Sequence, residues 1–282
     1  MKLSTLFLAA LTPLALATDC SNQDFDHDPL NISTATAKRA LNQLRTRDLQ
    51  QVDMFFHILV SKNPEGEDWG PKIQSQVDFL NAHFETWGYV FNLKFTTYMI
   101  DEEWAKDIDV DKENKMRALH KGDYKTLNVY LVEGAGGGVC SFPDGSGNPI
   151  DQQTLDFDGC FVPLEVGLSA TSGTLAHEIG HWFGLLHVFQ GGCEGDGDYC
   201  DDTAPQNEPS SGHLAIPGDL NSCPAMDQCG KGAANVKNFM DYTDCSQEFT
   251  PCQGGRMNVA WTQYRVNRAL AEGVQVSWVD GI

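Results

Sequence analysis

Basic side chains are scarce in this 282-residue chain: 19 Lys and Arg stand against 39 Asp and Glu, a formal net charge of -20 at pH 7. So acidic a surface repels phosphate backbones, which argues against nucleic acid as a partner and fits a soluble exported protein. Beyond the first residues no run is long and apolar enough to cross a bilayer, so no membrane partner is expected. There is no internal repeat and no low-complexity tract. No paired C-x-x-C knuckles occur, which argues against a zinc-ribbon use of the cysteines.

With 41% hydrophobic residues, the chain can bury one large core or two modest ones. It opens on MKLSTLFLAALTPLALA: a basic Lys2, an apolar stretch from Leu3 to Leu16, and a small-x-small site at Ala15-Leu16-Ala17. This reads as a secretory leader, residues 1–17. Export changes the meaning of the nine cysteines, which are expected to form mostly disulfides, with at least one left over because nine is odd. It also makes Asn31-Ile32-Ser33 a possible glycosylation acceptor.

Residues 18–51 are polar and read either as a pro-segment or as the mature N-terminus; within them TATAKRALNQLRTRD predicts a helix with Ala37, Leu41 and Leu44 as its apolar points. From Val52 the pattern alternates. VDMFFHILV (52–60) predicts a strand, and Ile73, Val77, Leu80 and Phe84 lie at helical spacing between Lys72 and Trp87. FNLKFTTYMI predicts a strand, DKENKMRALH a short helix, LNVYLV (127–132) a strand, and Phe161 to Leu164 another. Strand, helix, strand, helix, strand is an α/β beginning. After Gly191 the texture becomes Gly, Asp, Pro and Cys up to about Cys252, which predicts a loop-rich, stapled half, closed by a helix from about Gly255 to Leu270 carrying Met257, Trp261 and Tyr264 on one face.

The chemistry is concentrated in HEIGHWFGLLH, residues 177–187. On a helix His177 and His181, four apart, share one face one turn apart and can reach one ion together. Glu178 follows the first ligand, where its carboxylate can approach a water at that ion without binding the ion. Gly184 lets the chain leave the helix in a left-handed conformation, and His187 beyond it can swing round as a third ligand. Three imidazoles leave one tetrahedral position open, as a catalytic zinc site requires. The pattern H-E-x-x-H-x-x-G-x-x-H fixes five positions in eleven residues, far more than the bare five-residue motif does. His57, His83 and His213 carry no such pattern and read as ordinary core or surface residues. Downstream, NFMDY places Met240 and Tyr242 where a methionine turn is expected.

HEIGHWFGLLHVFQGGC, NFMDYTDC and FTPCQGGRM resemble the pappalysin family of metzincin peptidases, most closely its small extracellular fungal members. The resemblance runs from about Val52 to the last helix. It implies an α/β (α+β) metzincin-like zincin over residues 52–282. An upper part to about Gly184 would hold a twisted sheet, a backing helix and the active-site helix. A lower part from about Leu185 would hold His187, the methionine turn and the final helix. It implies zinc on His177, His181 and His187, Glu178 as general base, Tyr242 as a hydrogen-bond donor to the oxyanion or to the metal's water or else a buried structural phenol, and endopeptidase action on protein or peptide substrates. The chain is expected to be a monomer. A catalytically silent zinc-binding module and a small-molecule zinc hydrolase are the rivals; the intact Glu and ligands weigh against the first, the third His with the methionine turn against the second.

The resemblance also implies that Cys200 pairs with Cys229 and Cys223 with Cys245. Cys140 and Cys160 flank the cleft rim as a third possible pair, and Cys193 with Cys252 a fourth. Glu194, Asp196, Asp198, Asp201 and Asp202 crowd a glycine-rich loop that reads either as a calcium site or as a solvated acidic loop. Cys20 has two readings: a disulfide that ties down the N-terminus, or a thiolate that holds the zinc's open position until a cut near Arg45 or Arg47. The residues from Val139 to Phe142 are expected to line the cleft edge and pair with extended substrate, or else to be a plain loop.

Overall fold

The computed structural model describes residues 27–278, apart from 45–47, 64, 108, 110, 135–136, 214–215, 217–218 and 220–221. The leader, Cys20, Arg45 and Arg47 lie outside the described residues.

Strand β1 (Gln50–Val60) is the central rod. Its near-continuous apolar run is what a strand covered on both faces requires. It pairs in parallel with β2 (Tyr89–Ile100) on one side and β3 (Leu127–Val132) on the other. Next to β3 comes β5 (Cys160–Pro163), also parallel, and at the edge the short β4 (Val139–Cys140) runs antiparallel to β5, giving the order β2-β1-β3-β5-β4. The segment expected to line the cleft therefore contributes an edge strand.

One face of the sheet presents Met54, Phe56, Ile58, Val129, Leu131 and Val162 to a core shared with α2 (Gly70–Phe84) and α7 (Thr174–Trp182). Ile73, Val77, Leu80 and Phe84 of α2 are buried there, at the spacing seen in the sequence. The other face presents Leu59, Tyr130, Val132 and Phe161 to Met116 and Leu119, which belong to a short helix, Lys112–Leu119. The first core does not stop at Gly184. It continues through Phe239, Met240 and Phe249 into Met257 and Trp261 of the last helix.

That last helix starts at Pro251, earlier than expected, because Thr250 and Gln253 form a reciprocal capping box and Pro251 takes the first turn. It runs to Ala260 and continues as a wider π-turn, Trp261–Val266. Arg265 is buried at its end. It donates to the Trp182 carbonyl (2.9 Å), pairs with Asp158 (2.9 Å) and stacks over the Trp182 ring at 3.7 Å. The end of α7 is thus bolted to the last helix.

The described part of the N-terminal segment is knitted into this layer. Helix α1 (Thr34–Leu44) packs on the last helix. Ala37 faces inward as expected and is joined by Ala40, while Leu41, expected on the same face, is only partly covered. The reason is close approach: Gly255 has no Cβ, and the Ala37 carbonyl occupies that space. Ahead of α1, Asp28 and Arg256 form a two-pronged buried ion pair. Asn31, of the glycosylation motif, is exposed in a left-handed turn at φ 51°.

The disulfides depart from expectation at two of the four pairs. Cys140–Cys160 and Cys223–Cys245 form, but Cys193 rather than Cys200 joins Cys229. Cys193 faces the loop of residues 228–231, where Lys231 donates to its carbonyl at 2.8 Å, whereas Cys200 is drawn inward beside Cys252. The Cys193–Cys252 pair is therefore absent as well.

Candidate metal centre

Helix α7 is only nine residues long and carries His177, Glu178 and His181 on its inner side. It ends because Gly184 adopts φ 82°, closed by a bond from the Gly184 N–H to the His181 carbonyl at 2.8 Å. A side chain at Gly184 would also meet Leu30 and Ala260. This turn redirects the chain so that His187 faces back to the helix, where the Val188 N–H donates to the Met240 carbonyl at 3.1 Å.

The three imidazoles converge. Nε2 of His181 stands 3.1 Å from Nε2 of His177 and 3.0 Å from Nε2 of His187. Nitrogens about 2.0–2.1 Å from one tetrahedral ion would stand roughly 3.3 Å apart, so the spacing suits a shared metal. The tautomers suit it too. Nδ1 of His177 donates to the Phe239 carbonyl at 2.5 Å and Nδ1 of His181 to the Leu185 carbonyl at 2.8 Å, which leaves both Nε2 lone pairs facing the centre. Burial depresses all three: His177 to about 3, His181 to about 4, and His187 well below the usual imidazole value, with the neighbouring imidazoles adding to the shift at His177 and His187. Neutral nitrogens pointing at one another are mutually repulsive acceptors, and a cation between them is what satisfies them.

The ring of Phe189 stacks on His187 at 4.7 Å, and the Tyr242 hydroxyl lies 3.0 Å from His187 Nε2. Met240 is fully buried beneath α7, and Gly180 leaves room for its sulfur against the helix. Two devices hold the methionine segment. Asn238 and Gln253 exchange side-chain amide bonds at 2.8 and 3.1 Å, and Asp241 accepts from the Ser210 N–H (3.0 Å), the Ser210 hydroxyl (2.5 Å) and the Tyr242 N–H (2.8 Å). The sequence offered no signal for Ser210 or Gln253, since each lies far along the chain from what it supports.

The glycine just before β4, Gly138, is required by packing. A Cβ on Gly138 would stand 2.5 Å from Cδ and Oε1 of Glu178, so only glycine lets the edge strand lie against this fully buried carboxyl. In the acidic loop three of the five carboxylates have protein partners. Asp198 points inward and accepts from the Thr203 hydroxyl (2.6 Å) and the Cys200 N–H (3.1 Å); burial raises its pKa to about 7. Asp201 pairs with Lys38 and Asp202 accepts from the Cys252 N–H, while Glu194 and Asp196 are exposed. Among the described residues, ligating side chains gather in threes only at the three histidines and at Cys200, Asp202 and Cys252.

A centre of this kind, with an edge strand beside it and a methionine turn beneath, defines a metallopeptidase of the metzincin type. Residues 111–261 match the family model for Peptidase M43, described as pregnancy-associated plasma protein-A, and the chain belongs to this pappalysin family. It is 38% identical over 242 residues to "Extracellular metalloprotease 1" of Coccidioides posadasii, covering 78% of this chain and 81% of that one. With an extracellular metalloprotease of Neurospora crassa it shares 37% identity over 78% of this chain and 77% of that one. Among solved structures, metalloproteinase-II from Bacteroides fragilis matches with a TM-score of 0.40 and 15% identity, over 79% of this chain and 60% of that chain. The protein is a metalloendopeptidase.

Proposed function

We propose that the protein is a secreted, zinc-dependent endopeptidase of proteins and peptides, with His177, His181 and His187 as metal ligands and Glu178 as general base. The convergence of three Nε2 atoms within 3.1 Å of their neighbours carries this reading. Two hard-wired Nδ1–H···O=C bonds and an N-only ligand set suit zinc over calcium or magnesium, which prefer oxygen. When bound, zinc supplies Lewis acidity and brings the pKa of water at its open position toward neutrality. Glu178, held rigid between α7 and Gly138, takes the proton of the attacking water and delivers it to the leaving amine. Tyr242 offers its hydroxyl to the developing oxyanion from the side of His187.

The outer edge of β4 receives the substrate backbone as an added antiparallel strand, with the cleft between the layer ending near Gly184 and the one that follows. The relatives are named extracellular, and no helix among the described residues is long and apolar enough to cross a membrane, which supports release outside the cell. Calcium forms no part of the proposal, because three of the five loop carboxylates are taken by protein partners. Gelatin zymography with and without a chelator, alongside Glu178→Gln, tests the reading. The variant keeps its zinc and loses roughly two to four decades of turnover. Near wild-type turnover in that variant, or activity indifferent to chelation, would refute it.

A further inference from the structure

We propose that Cys200 and Cys252 form a fourth disulfide, fastening the acidic loop to the first turn of the final helix. Their sulfurs lie within 4.8 Å of each other, both side chains are buried, and no other cysteine is near enough to compete among the described residues. The pair is brought together by folding alone, since Cys200 follows a left-handed residue, Tyr199 at φ 60°, and Cys252 sits in the capping-box turn.

A metal held by Cys200, Cys252 and Asp202 is the competing use of the same atoms. It fits less well. Metal binding needs thiolates, and burial, with the Cys252 thiol and the Asp198 carboxylate alongside, pushes the Cys200 thiol well above its usual pKa. The third ligand is already engaged: Asp202 accepts the Cys252 N–H at 2.9 Å, as the end of a helix requires. A disulfide needs no charge in this buried place.

The chemistry balances with an oxidised dithiol of the export compartment, a protein or glutathione disulfide, as electron acceptor. One cysteine thiolate attacks the donor disulfide and releases one donor thiol. The second cysteine then attacks the mixed disulfide and releases the other. The S–S bond of the donor breaks, that of Cys200–Cys252 forms, and the two thiol protons end on the two donor sulfurs. Because both sulfurs are buried after folding, exchange takes place before the loop docks.

The bridge has a mechanical purpose. The loop it fastens carries the Tyr199 carbonyl, which accepts the Thr34 hydroxyl at 2.9 Å, and Asp201, which pairs with Lys38 at 2.5 Å; both partners are on α1. One turn beyond Cys252, Arg256 donates to the Gly184 carbonyl at 2.8 Å and to the Ile32 carbonyl at 3.1 Å. The bridge thereby clamps together the N-terminal arm, the final helix and the turn that aims His187. It also completes the count: four bridges use eight of nine cysteines, and Cys20 is the odd one.

Peptide mapping by mass spectrometry tests this on full-length secreted protein denatured without reductant in the presence of an alkylating agent. A Cys200–Cys252 cross-linked peptide is expected, with neither cysteine alkylated. Alkylation of both, with or without a second equivalent of metal released on denaturation, overturns the proposal. Replacing both by alanine should leave the other three bridges in the map and lower the Tm by about 5–10 °C. An unchanged Tm would overturn the clamp. Should that variant fail to be secreted, the map of the wild type still decides.

Discussion

Gly138→Ala is a one-carbon perturbation whose effect follows from geometry. The backbone at Gly138 has no positive φ, so alanine adds no intrinsic strain there. What it adds is a methyl 2.5 Å from Cδ and Oε1 of Glu178, where ordinary contact begins near 3.4 Å. One partner must give by about 1 Å. Glu178 lies on α7, whose neighbours His177 and His181 are pinned through Nδ1 to backbone carbonyls, so the carboxyl and the edge strand absorb the shift and the imidazoles do not. A misplacement of about 1 Å in a reacting group costs on the order of a hundredfold in rate. Steady-state hydrolysis of a quenched peptide should therefore show kcat/KM down about a hundredfold, with zinc content and Tm close to wild type. If turnover stays within a few fold of wild type, Gly138 does not position Glu178 and the general-base geometry argued here is wrong. If zinc is lost instead, the strand and not the carboxyl was the element under pressure.

His187→Ala should lower zinc retention on dialysis although the helix pair is intact; equal zinc by elemental analysis would place the third ligand elsewhere. Asp28→Ala strands the buried Arg256 guanidinium, and breaking such a pair costs about 3–5 kcal/mol, a Tm drop of roughly 10 °C in thermal melts. Burial tends to raise the Asp28 carboxyl, yet the Arg256 guanidinium and the Leu30 and Ile32 N–H groups hold it below the usual value, so this contribution persists at neutral pH and fades only as pH falls below the ordinary Asp range. His57 behaves oppositely. Burial pushes it down to about 4 between Thr97 and Asn128, so below pH 6.5 the unfolded chain binds the proton first and stability falls as the medium is acidified. Between pH 7 and 5 the loss of stability in denaturant melts should be smaller by roughly 2 kcal/mol in His57→Gln than in the wild type, and an equal decline in the two would acquit His57.

Much of this molecule is local and therefore legible in its sequence. The spacing of His177 and His181 fixes a helical face, Gly184 supplies the backbone conformation that ends the helix there, and the segments of β1 and β3 read as strands from their mostly apolar runs. The extended zinc pattern was readable because its members all lie within eleven residues, where helix geometry alone relates them. What the sequence left open are relations between residues far apart, which no local rule constrains. The partner of Cys193 was decided by how the loop around Lys231 folds back, and the neighbour of Cys252 by the docking of the acidic loop on the final helix. The N-terminal segment read equally as a pro-segment or as the mature N-terminus, whereas its Ala37 and Ala40 face matches Gly255, and its Asp28 pairs with Arg256, over two hundred residues away. Glycines at 138 and 180 carry no signal in one dimension; in three, they are the space that Glu178 and Met240 occupy. Close packing is a property of surfaces that meet only after folding, and there the tertiary structure alone decided.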